Sequence, residues 1–313
     1  MSLTEFPLIQ RFFTQQRVKN PLTALGIGDD CALLSVPEGY QLAVTTDTMV
    51  ENVHFFAGAD PEQLGHKLLA VNLSDLASMG ARPLSVTLAL TLPSVDEAWL
   101  SAFSKGFLGL AEQHSVDLIG GDTTSGPLTL TVQALGLVPK GKGLMRSTAQ
   151  PGDFICLTGC LGDAGLGLKI KQGYVCNQTH SEAALARFNH PNPQVEAGLA
   201  LLDIANACID ISDGLLADLG HILEQSQVGA RIDWELLPLS EPVKGYINET
   251  CDWTMPLIAG DDYELCFTVS PEKAVLLKMP FTKIGVIEAL PQIRLYKSGQ
   301  LQSLTSKGYE HFS

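Results

Sequence analysis

The most regular hydrophobic pattern in the chain covers residues 61–79. Apolar residues recur there every three or four positions, which is the spacing of one buried helical stripe. Asp60 is a good N-cap before Pro61, and Gly80 followed by Pro83 is a stop signal. We therefore predict a helix over residues 61–79.

An acid interrupts the apolar stripe of this helix. Leu64, Leu68 and Val71 define the stripe, and the next position on it is Asp75. An unpaired buried carboxylate costs several kcal/mol, so the fold must supply a cation, hydrogen-bond donors or water at this point.

The remaining periodicities predict a mixture of strands and helices. In the first half, the predicted helices cover residues 5–13 and 96–114, and the predicted strands cover 31–36, 41–46, 85–92, 117–119 and 128–138. A turn at residues 37–39 predicts that the first two strands form a hairpin. In the second half, the predicted helices cover 192–207, 215–225 and 271–278, and the predicted strands cover 154–158, 229–234, 264–269, 282–287 and 292–296.

This mixture of hairpins and helical crossovers predicts an α+β fold with two α/β-type domains. Residues 1–142 form the amino-terminal domain, a mixed sheet with helices, and residues 143–313 form a carboxy-terminal α/β domain. The cleft between the domains is the expected ligand site.

Composition narrows the classes of partner. The chain has 45% hydrophobic and 17% charged residues and a formal net charge of −14. That charge argues against binding nucleic acid or an anionic membrane, and it means that a polyanionic substrate would need metal cations. Seven scattered cysteines without a CxxC pair, the lack of a signal segment and the lack of a long apolar run predict a cytoplasmic protein.

Acids beside glycine or hydroxyl residues are the main chemical signal. They recur at Gly28-Asp29-Asp30, Thr45-Thr46-Asp47, Ser74-Asp75, Gly121-Asp122-Thr123, Asp210-Ile211-Ser212-Asp213-Gly214 and Gly260-Asp261-Asp262. Converging carboxylates cannot all ionise without cations between them. Oxygen ligands of this kind suit Mg²⁺, which keeps its other positions for water and phosphate oxygens, so the pattern predicts a nucleotide site.

The common phosphate-binding loops are absent from the sequence. There is no Gly-x-x-x-x-Gly-Lys-Ser/Thr loop and no protein-kinase glycine loop. Arg146 is the best candidate for a phosphate clamp, and the alternative is an exposed linker arginine. The glycines of residues 159–167 fit either an anion-binding loop or close helix packing.

Taken together, these motifs resemble those of the thiamine-monophosphate kinases. The resemblance rests on residues 28–30, 45–47, 72–81, 120–124, 210–214 and 261–265 with His54, and single motifs are shared with aminoimidazole ribonucleotide synthetase and selenophosphate synthetase. It implies a homodimer formed through the amino-terminal sheet, with ATP and several Mg²⁺ ions in the cleft. It also implies direct transfer of the γ-phosphoryl group of ATP to thiamine monophosphate, giving the diphosphate.

The same resemblance implies roles for individual residues. The implied metal shell is Asp30, Thr45, Thr46, Asp47, Asp75, Asp122, Asp210 and Asp213. The implied nucleotide contacts are Gly121, Asp122, Arg146 and Ser212, and the implied substrate contacts are His54, Glu264 and Tyr309. Among these, we expect Asp47, Asp75, Asp213 and Arg146 to carry the reaction. Asp261 is an alternative to Glu264, and Lys105 stands where relatives often have an aromatic residue near the nucleotide.

Other activities remain open at this point. A phosphate acceptor is already deprotonated, so we expect no essential general base. One alternative is another ATP-dependent synthetase of the superfamily, although a catalytic Cys beside a glycine-rich amino terminus is lacking. The other is a non-catalytic ATP-binding maturation or sensing protein.

Overall fold

The computed structural model describes residues 5–14 and 20–303 and divides into two compact units. The first unit comprises Met1–Leu76 and Ala81–Gly141, and the second comprises Ala77–Gly80 and Lys142–Ser313. The short segment Ala77–Gly80 thus groups with the second unit, whereas the sequence prediction placed it in the amino-terminal domain.

In its described residues, the first unit combines three helices with a two-stranded sheet and a mixed four-stranded sheet. Its elements are α1 (Glu5–Phe13), β1 (Thr23–Leu25), β2 (Leu33–Leu34), β3 (Tyr40–Val50), α2 (Pro61–Ser78), β4 (Arg82–Leu92), α3 (Glu97–Gln113), β5 (Asp117–Ser125) and β6 (Thr129–Pro139). The sheet order is β3-β6-β4-β5, in which β4 and β5 are parallel and the other pairs antiparallel.

Helices α2 and α3 approach each other through two glycines. A Cβ on Gly106 would lie 1.9 Å from the carbonyl oxygen of Glu62, and a Cβ on Gly65 would lie 2.2 Å from that of Phe103. Neither distance leaves room for a side chain. The N-terminus of α2 is capped as predicted, because the Asp60 carboxylate accepts the Gln63 N–H at 2.9 Å.

Two predictions for the first unit are wrong. The hairpin over 31–46 does not form, because β2 pairs with β1 while β3 pairs along its whole length with β6. The predicted strand 117–119 does not end in a loop. It continues as β5 to Ser125, in parallel register with β4.

The second unit is built around a seven-stranded sheet. Its strands are β7 (Phe154–Leu157), β8 (Ala207–Asp210), β9 (Gly229–Asp233), β10 (Leu265–Val269), β11 (Thr282–Glu288), β12 (Ile293–Lys297) and β13 (Gln300–Leu301). The order is β13-β12-β9-β11-β7-β10-β8, and only the β12–β9 pair is parallel. The main core packs apolar residues of these strands against the helix that follows β8.

Seven helices accompany this sheet in the described part of the second unit. They are α4 (Asp163–Lys171), α5 (Gln178–Asn189), α6 (Val195–Leu201), α7 (Leu215–Ser226), α8 (Glu241–Thr250), α9 (Met255–Ile258) and α10 (Pro271–Ala274). The helix predicted over 192–207 is wrong in extent, because α6 ends at Leu201 and the chain then enters β8. Helices α4, α5, α8 and α9 were not predicted.

The glycines of residues 159–167 serve packing. A Cβ on Gly165 would lie 2.4 Å from the Ala259 side chain, and one on Gly167 would lie 2.5 Å from that of Phe188. The close-packing alternative therefore accounts for these two glycines of α4. Within the described part of the chain, none of the helices combines the length and apolar character needed to cross a membrane.

The glycine contact between α2 and α3 leads to a stability prediction. We expect Gly106→Ala to lower the free energy of unfolding by about 1–3 kcal/mol, because the new methyl group would overlap a backbone oxygen. Gly109→Ala is the matched control in the same helix, since nothing lies within 4 Å of its Cβ position. It should raise stability by up to about 1 kcal/mol through helix propensity. Urea unfolding measures both changes, and equal effects would contradict the packing explanation.

Candidate functional site

In the first unit, the acid on the helical stripe meets a hydroxyl of the sheet. Asp75 lies in the last part of α2 and is half-buried, and its carboxylate accepts a hydrogen bond from the Thr45 hydroxyl of β3. This contact is one of the partners that the sequence pattern required for Asp75.

A second carboxylate, that of Asp47 on β3, lies beside the same helix. Residues two apart on a strand share a face, so Asp47 lies on the face of Thr45. Its backbone N–H donates to the Asn72 side chain at 3.2 Å, and Asn72 donates in turn to the Leu68 carbonyl of α2 at 3.0 Å. Burial and the nearby charge of Asp75 together raise the pKa of Asp47 to about 6.

The other predicted ligands of the first unit are spread more widely. Thr46 is exposed on the opposite face of β3, so its side chain points away from those of Thr45 and Asp47. Asp122 is exposed on β5, which is three strands away from β3 in the sheet order. Asp30 is exposed in the segment between β1 and β2.

Gly121 has a packing reason to be glycine. A Cβ there would lie 1.8 Å from the Leu88 carbonyl oxygen of β4, so the β4–β5 pair requires glycine at this position. A role for Gly121 in nucleotide binding stays a prediction.

His54 follows β3, and its Nδ1 accepts the Val50 N–H at 3.0 Å. In the neutral ring this leaves the proton on Nε2.

The donors of the first unit suit magnesium by their chemistry. Within residues 5–14 and 20–303, no group of three or more His, Cys, Asp or Glu side chains could hold a metal ion. The eight-residue metal shell therefore stays a prediction. What the structure does bring together is the carboxylates of Asp47 and Asp75 with the Thr45 hydroxyl. Two carboxylates with further oxygen donors are a common protein share of a Mg²⁺ site, because the ion keeps water and phosphate oxygens as its other ligands.

In the second unit, three predicted residues follow β8. Asp210 is buried at the end of the strand, and Ser212 and Asp213 are half-exposed in the loop before α7. Backbone hydrogen bonds tie this loop to residues 259–264. The Asp261 N–H donates to the Ser212 carbonyl at 2.9 Å, and the Ile211 N–H donates to the Glu264 carbonyl at 2.8 Å.

The same loop is held from α7 by a residue that we did not predict. The buried Asp218 carboxylate accepts the N–H groups of Ser212, Asp213 and Gly214, each at 3.1 Å. Burial, together with the nearby charge of Asp213, raises the pKa of Asp218 to about 7, although the three hydrogen bonds act in the opposite direction. Its sequence signal resembled that of Asp75, since it is an acid on the apolar stripe of Leu215, Leu219 and Ile222.

Arg146 is half-buried beside the start of β8. Its neighbour Met145 forms a bridge to Ala207, and the Arg146 carbonyl accepts a hydrogen bond from Ser226 at 2.8 Å. Its guanidinium forms no ion pair with any residue that the structure describes. An arginine in this state can accept an anionic ligand.

Glu264 is buried and already engaged. Its carboxylate accepts hydrogen bonds from the Arg187 guanidinium of α5 and from the Thr158 hydroxyl, each at 2.6 Å. Burial raises the pKa of Glu264 despite these two partners. Asp261 is half-exposed and accepts the Tyr263 hydroxyl at 2.9 Å. The next acid, Asp262, is buried and accepts the Gly162 N–H at the start of α4 at 2.8 Å.

Two further predicted positions can be placed. Lys105 is an exposed residue of α3 that forms an ion pair with Glu62 of α2 at 2.8 Å. Tyr309, predicted as a substrate contact, lies outside the described residues. Arg187 gave no signal in the sequence, because its contact with Glu264 is distant along the chain. Asn72 and Asp262 lay inside motifs that the sequence analysis identified, but neither was assigned a role.

Comparison with family models covers most of the chain. The model described as "AIR synthase related protein, N-terminal domain" matches residues 28–138, and the corresponding C-terminal domain model matches residues 150–296.

Individual relatives and solved structures are similar over most of their length. A protein named thiamine-monophosphate kinase from Haemophilus influenzae is 46% identical, covering 100% of this chain and 99% of the relative. A crystal structure of thiamine-monophosphate kinase from Stenotrophomonas maltophilia has 43% identity and a TM-score of 0.85, covering 96% of this chain and 99% of that one. A structure described as "AaThiL complexed with AMPPCP and TMP" has 29% identity and a TM-score of 0.79, covering 89% of each chain. The resemblance identified from the sequence motifs and the predicted fold class are confirmed.

The Asp47–Asp75 pair leads to a stability prediction for the metal-free protein. The folded-state pKa of Asp47 lies above its ordinary value of 3.8, so the folded state loses stability as pH rises from about 4 to about 6 and the loss persists above that range. We expect Asp47→Asn to raise the free energy of unfolding at pH 7.5 by about 1 kcal/mol, allowing for solvent screening.

Thermal unfolding in EDTA at pH 7.5 and pH 4.5 measures this effect. The gain should be a few degrees at pH 7.5 and about one third of that at pH 4.5, because the loss of stability has only begun there. Asp122→Asn removes an exposed carboxylate from the same sheet and should change neither midpoint. A lower midpoint for Asp47→Asn at pH 7.5 would show that Asp75 does not disfavour the Asp47 charge.

Proposed function

This chain belongs to the thiamine-monophosphate kinase family of AIR synthase-related proteins, and we propose that it transfers the γ-phosphoryl group of ATP to the phosphate of thiamine monophosphate. The products are ADP and thiamine diphosphate. Relatives with this name match the whole chain, and a related structure is described as holding AMPPCP and TMP.

The observation that carries the proposal is the placement of Asp47, Asp75 and Thr45. Two carboxylates in a half-buried setting, of which one has a pKa of about 6, are a poor arrangement for a protein that binds no cation. They are a good arrangement for one that binds Mg²⁺ with a nucleotide, because Mg²⁺ is usually held by one or two carboxylates together with phosphate oxygens.

The reaction needs positioning more than acid–base chemistry. Bound Mg²⁺ would neutralise charge on the phosphates and favour an in-line approach. Asp47 and Asp75 would hold the ion, and Thr45 would orient the Asp75 carboxylate through its hydrogen bond. No side chain is required as a general base, because the acceptor phosphate is already deprotonated at neutral pH.

The second unit supplies candidates for the nucleotide. The guanidinium of Arg146, which forms no ion pair with a described residue, is a donor for phosphate oxygens, and the half-exposed Ser212 and Asp213 are the candidates for contacts with the nucleotide and its metal ion. Arg146 lies beside the start of the short strand β8, and Ser212 and Asp213 follow its end, which supports assigning all three to ATP.

For thiamine monophosphate, the observed contacts favour different roles for Glu264 and Asp261. The Glu264 carboxylate is bound by Arg187 and Thr158, so we assign it to holding Arg187. The half-exposed Asp261 is then the better acid for thiamine monophosphate. His54, whose Nδ1 accepts the Val50 N–H, is kept as a further candidate contact for thiamine monophosphate.

We also propose a homodimer formed through the sheet of the first unit. Strand β3 is an edge strand, and its outward face exposes Tyr40, Leu42 and Val44, with Val44 54% exposed. Neighbouring apolar residues on an edge strand favour pairing with a second sheet.

All seven cysteines carry free thiols, which supports a cytoplasmic location.

The activity is tested by incubating the protein with ATP, Mg²⁺ and thiamine monophosphate and measuring ADP and thiamine diphosphate. We expect Asp75→Asn to lower kcat by about two orders of magnitude and to raise the Mg²⁺ concentration needed for half-maximal rate. Glu112→Gln removes an exposed acid at the end of α3 and should leave both values unchanged. ATP binding without product formation by the wild type would refute the kinase assignment.

The dimer is tested by Val44→Lys, which places a charge on the exposed face of β3. Size-exclusion chromatography with light scattering should give the mass of a dimer for the wild type and about half that mass for the variant. Val275→Lys is the control, because Val275 is an exposed apolar residue of the second unit at 81% exposure. A monomeric wild type, or a dimer that persists in Val44→Lys, would exclude this interface.

A further inference from the structure

Asp218 has a hydrogen-bonding pattern that an ordinary helix cap does not need. It lies in the first turn of α7, with its backbone N–H donating to the Gly214 carbonyl at 3.0 Å. One oxygen of its carboxylate accepts three successive backbone N–H groups, those of Ser212, Asp213 and Gly214. A usual N-cap accepts one or two such groups from the turn that follows it, whereas Asp218 reaches back to the loop that precedes the helix.

The loop is clamped on its other side by backbone contacts. Its carbonyls at Ile211 and Ser212 accept N–H groups of Tyr263 and Asp261, at 2.8 and 2.9 Å. A Cβ on Gly260 would lie 2.1 Å from the Ser212 carbonyl oxygen, so the two segments touch without space between them. The loop thus has its carbonyls fixed by one segment and its N–H groups fixed by Asp218.

The backbone is held while the side chains stay accessible. Asp218 is 2% exposed, whereas Ser212 and Asp213 are half-exposed. Three backbone N–H groups of the loop donate to the Asp218 carboxylate, and such charge-assisted hydrogen bonds are stronger than neutral ones. A backbone held in this way fixes the direction in which the Ser212 and Asp213 side chains leave it. The position of Asp218 at the N-terminus of α7 also favours its negative charge.

We propose that Asp218 is a positioning residue for the nucleotide, which fixes the Ser212–Gly214 backbone so that the Ser212 and Asp213 side chains are held ready for ATP and its metal ion. The expected change in kinetics rests on the proposed kinase activity. The three hydrogen bonds from the Ser212–Gly214 N–H groups to Asp218, which we call the clamp, can be measured without that activity. Asp218 does not touch ATP in this proposal. It acts through the loop.

The chain offers a matched control for Asp218. Asp153 is also 2% exposed, lies in the same unit, and accepts the Gln150 N–H at 3.0 Å and the Asn206 amide at 2.9 Å. Replacing either acid by asparagine removes one buried charge from a hydrogen-bond acceptor. Comparing Asp218→Asn with Asp153→Asn therefore separates general loss of stability from loss of loop geometry.

The first experiment measures steady-state kinetics for both substrates. We expect Asp218→Asn to raise the KM for ATP and the Mg²⁺ requirement about tenfold and to leave the KM for thiamine monophosphate unchanged. Asp218→Ala should raise the KM for ATP further, towards about 100-fold. Asp153→Asn should change neither KM. Equal effects of Asp218→Asn and Asp153→Asn, or parallel changes in both KM values, would overturn the proposal.

The second experiment measures amide hydrogen exchange by mass spectrometry on peptides covering residues 211–215. Exchange at Ser212, Asp213 and Gly214 should be about tenfold faster in Asp218→Asn than in the wild type and unchanged in Asp153→Asn. Unchanged exchange in Asp218→Asn would refute the clamp, even if Asp218→Ala fails to fold. A wild type that forms no thiamine diphosphate would refute the kinase assignment, and exchange would then decide the clamp alone.

Discussion

The constraint that organises this structure is the high free-energy cost of burying a carboxylate without donors or a cation. Glu264 meets it with Arg187 and a hydroxyl, Asp262 with a helix N-terminus, and Asp218 with three N–H groups. The Asp47–Asp75 pair differs from these, because burial and the charge of Asp75 both raise the pKa of Asp47, whereas hydrogen-bond donors act to lower the pKa of the other three acids. The internally satisfied acids build the scaffold, and the repelling pair marks where an external cation would lower the free energy.

This distinction matters for assigning function. A count of acids beside glycines treats all of them as candidate metal ligands, but the structure divides them by their partners. Asp262 and Asp218 accept backbone N–H groups and shape loops, whereas Asp213 and Asp261 are half-exposed beside those loops. The proposed chemistry therefore depends on pairs of acids, in which a buried one fixes the backbone that presents an accessible one.

How much could be predicted from the sequence depended on the range of the interactions involved. Helix α2 was predicted to within one residue because its cap at Asp60 and its stop at Gly80 are local signals. The unusual position of Asp75 was found from the same periodicity. The hairpin prediction was wrong because β3 pairs with β6, some 80 to 100 residues later, and no local pattern encodes that choice. The Gly120–Thr124 segment resembled a loop since glycines usually end strands, yet Gly121 is needed inside β5 for the close approach of β4.

The same distinction explains why Asp75 was predicted and Asp218 was missed, although both are acids on apolar helical stripes. Asp75 belonged to a motif in which the neighbouring acids and hydroxyls suggested a ligand, so its burial called for a cation. Asp218 lies after the Asp210–Gly214 motif, and its partners are backbone groups that every sequence possesses. A sequence reveals which side chain needs a partner, but it does not reveal that main-chain donors will converge on it. An acid on a buried stripe one turn into a helix, following a loop rich in glycine and hydroxyl residues, is therefore best interpreted first as an anchor of that loop.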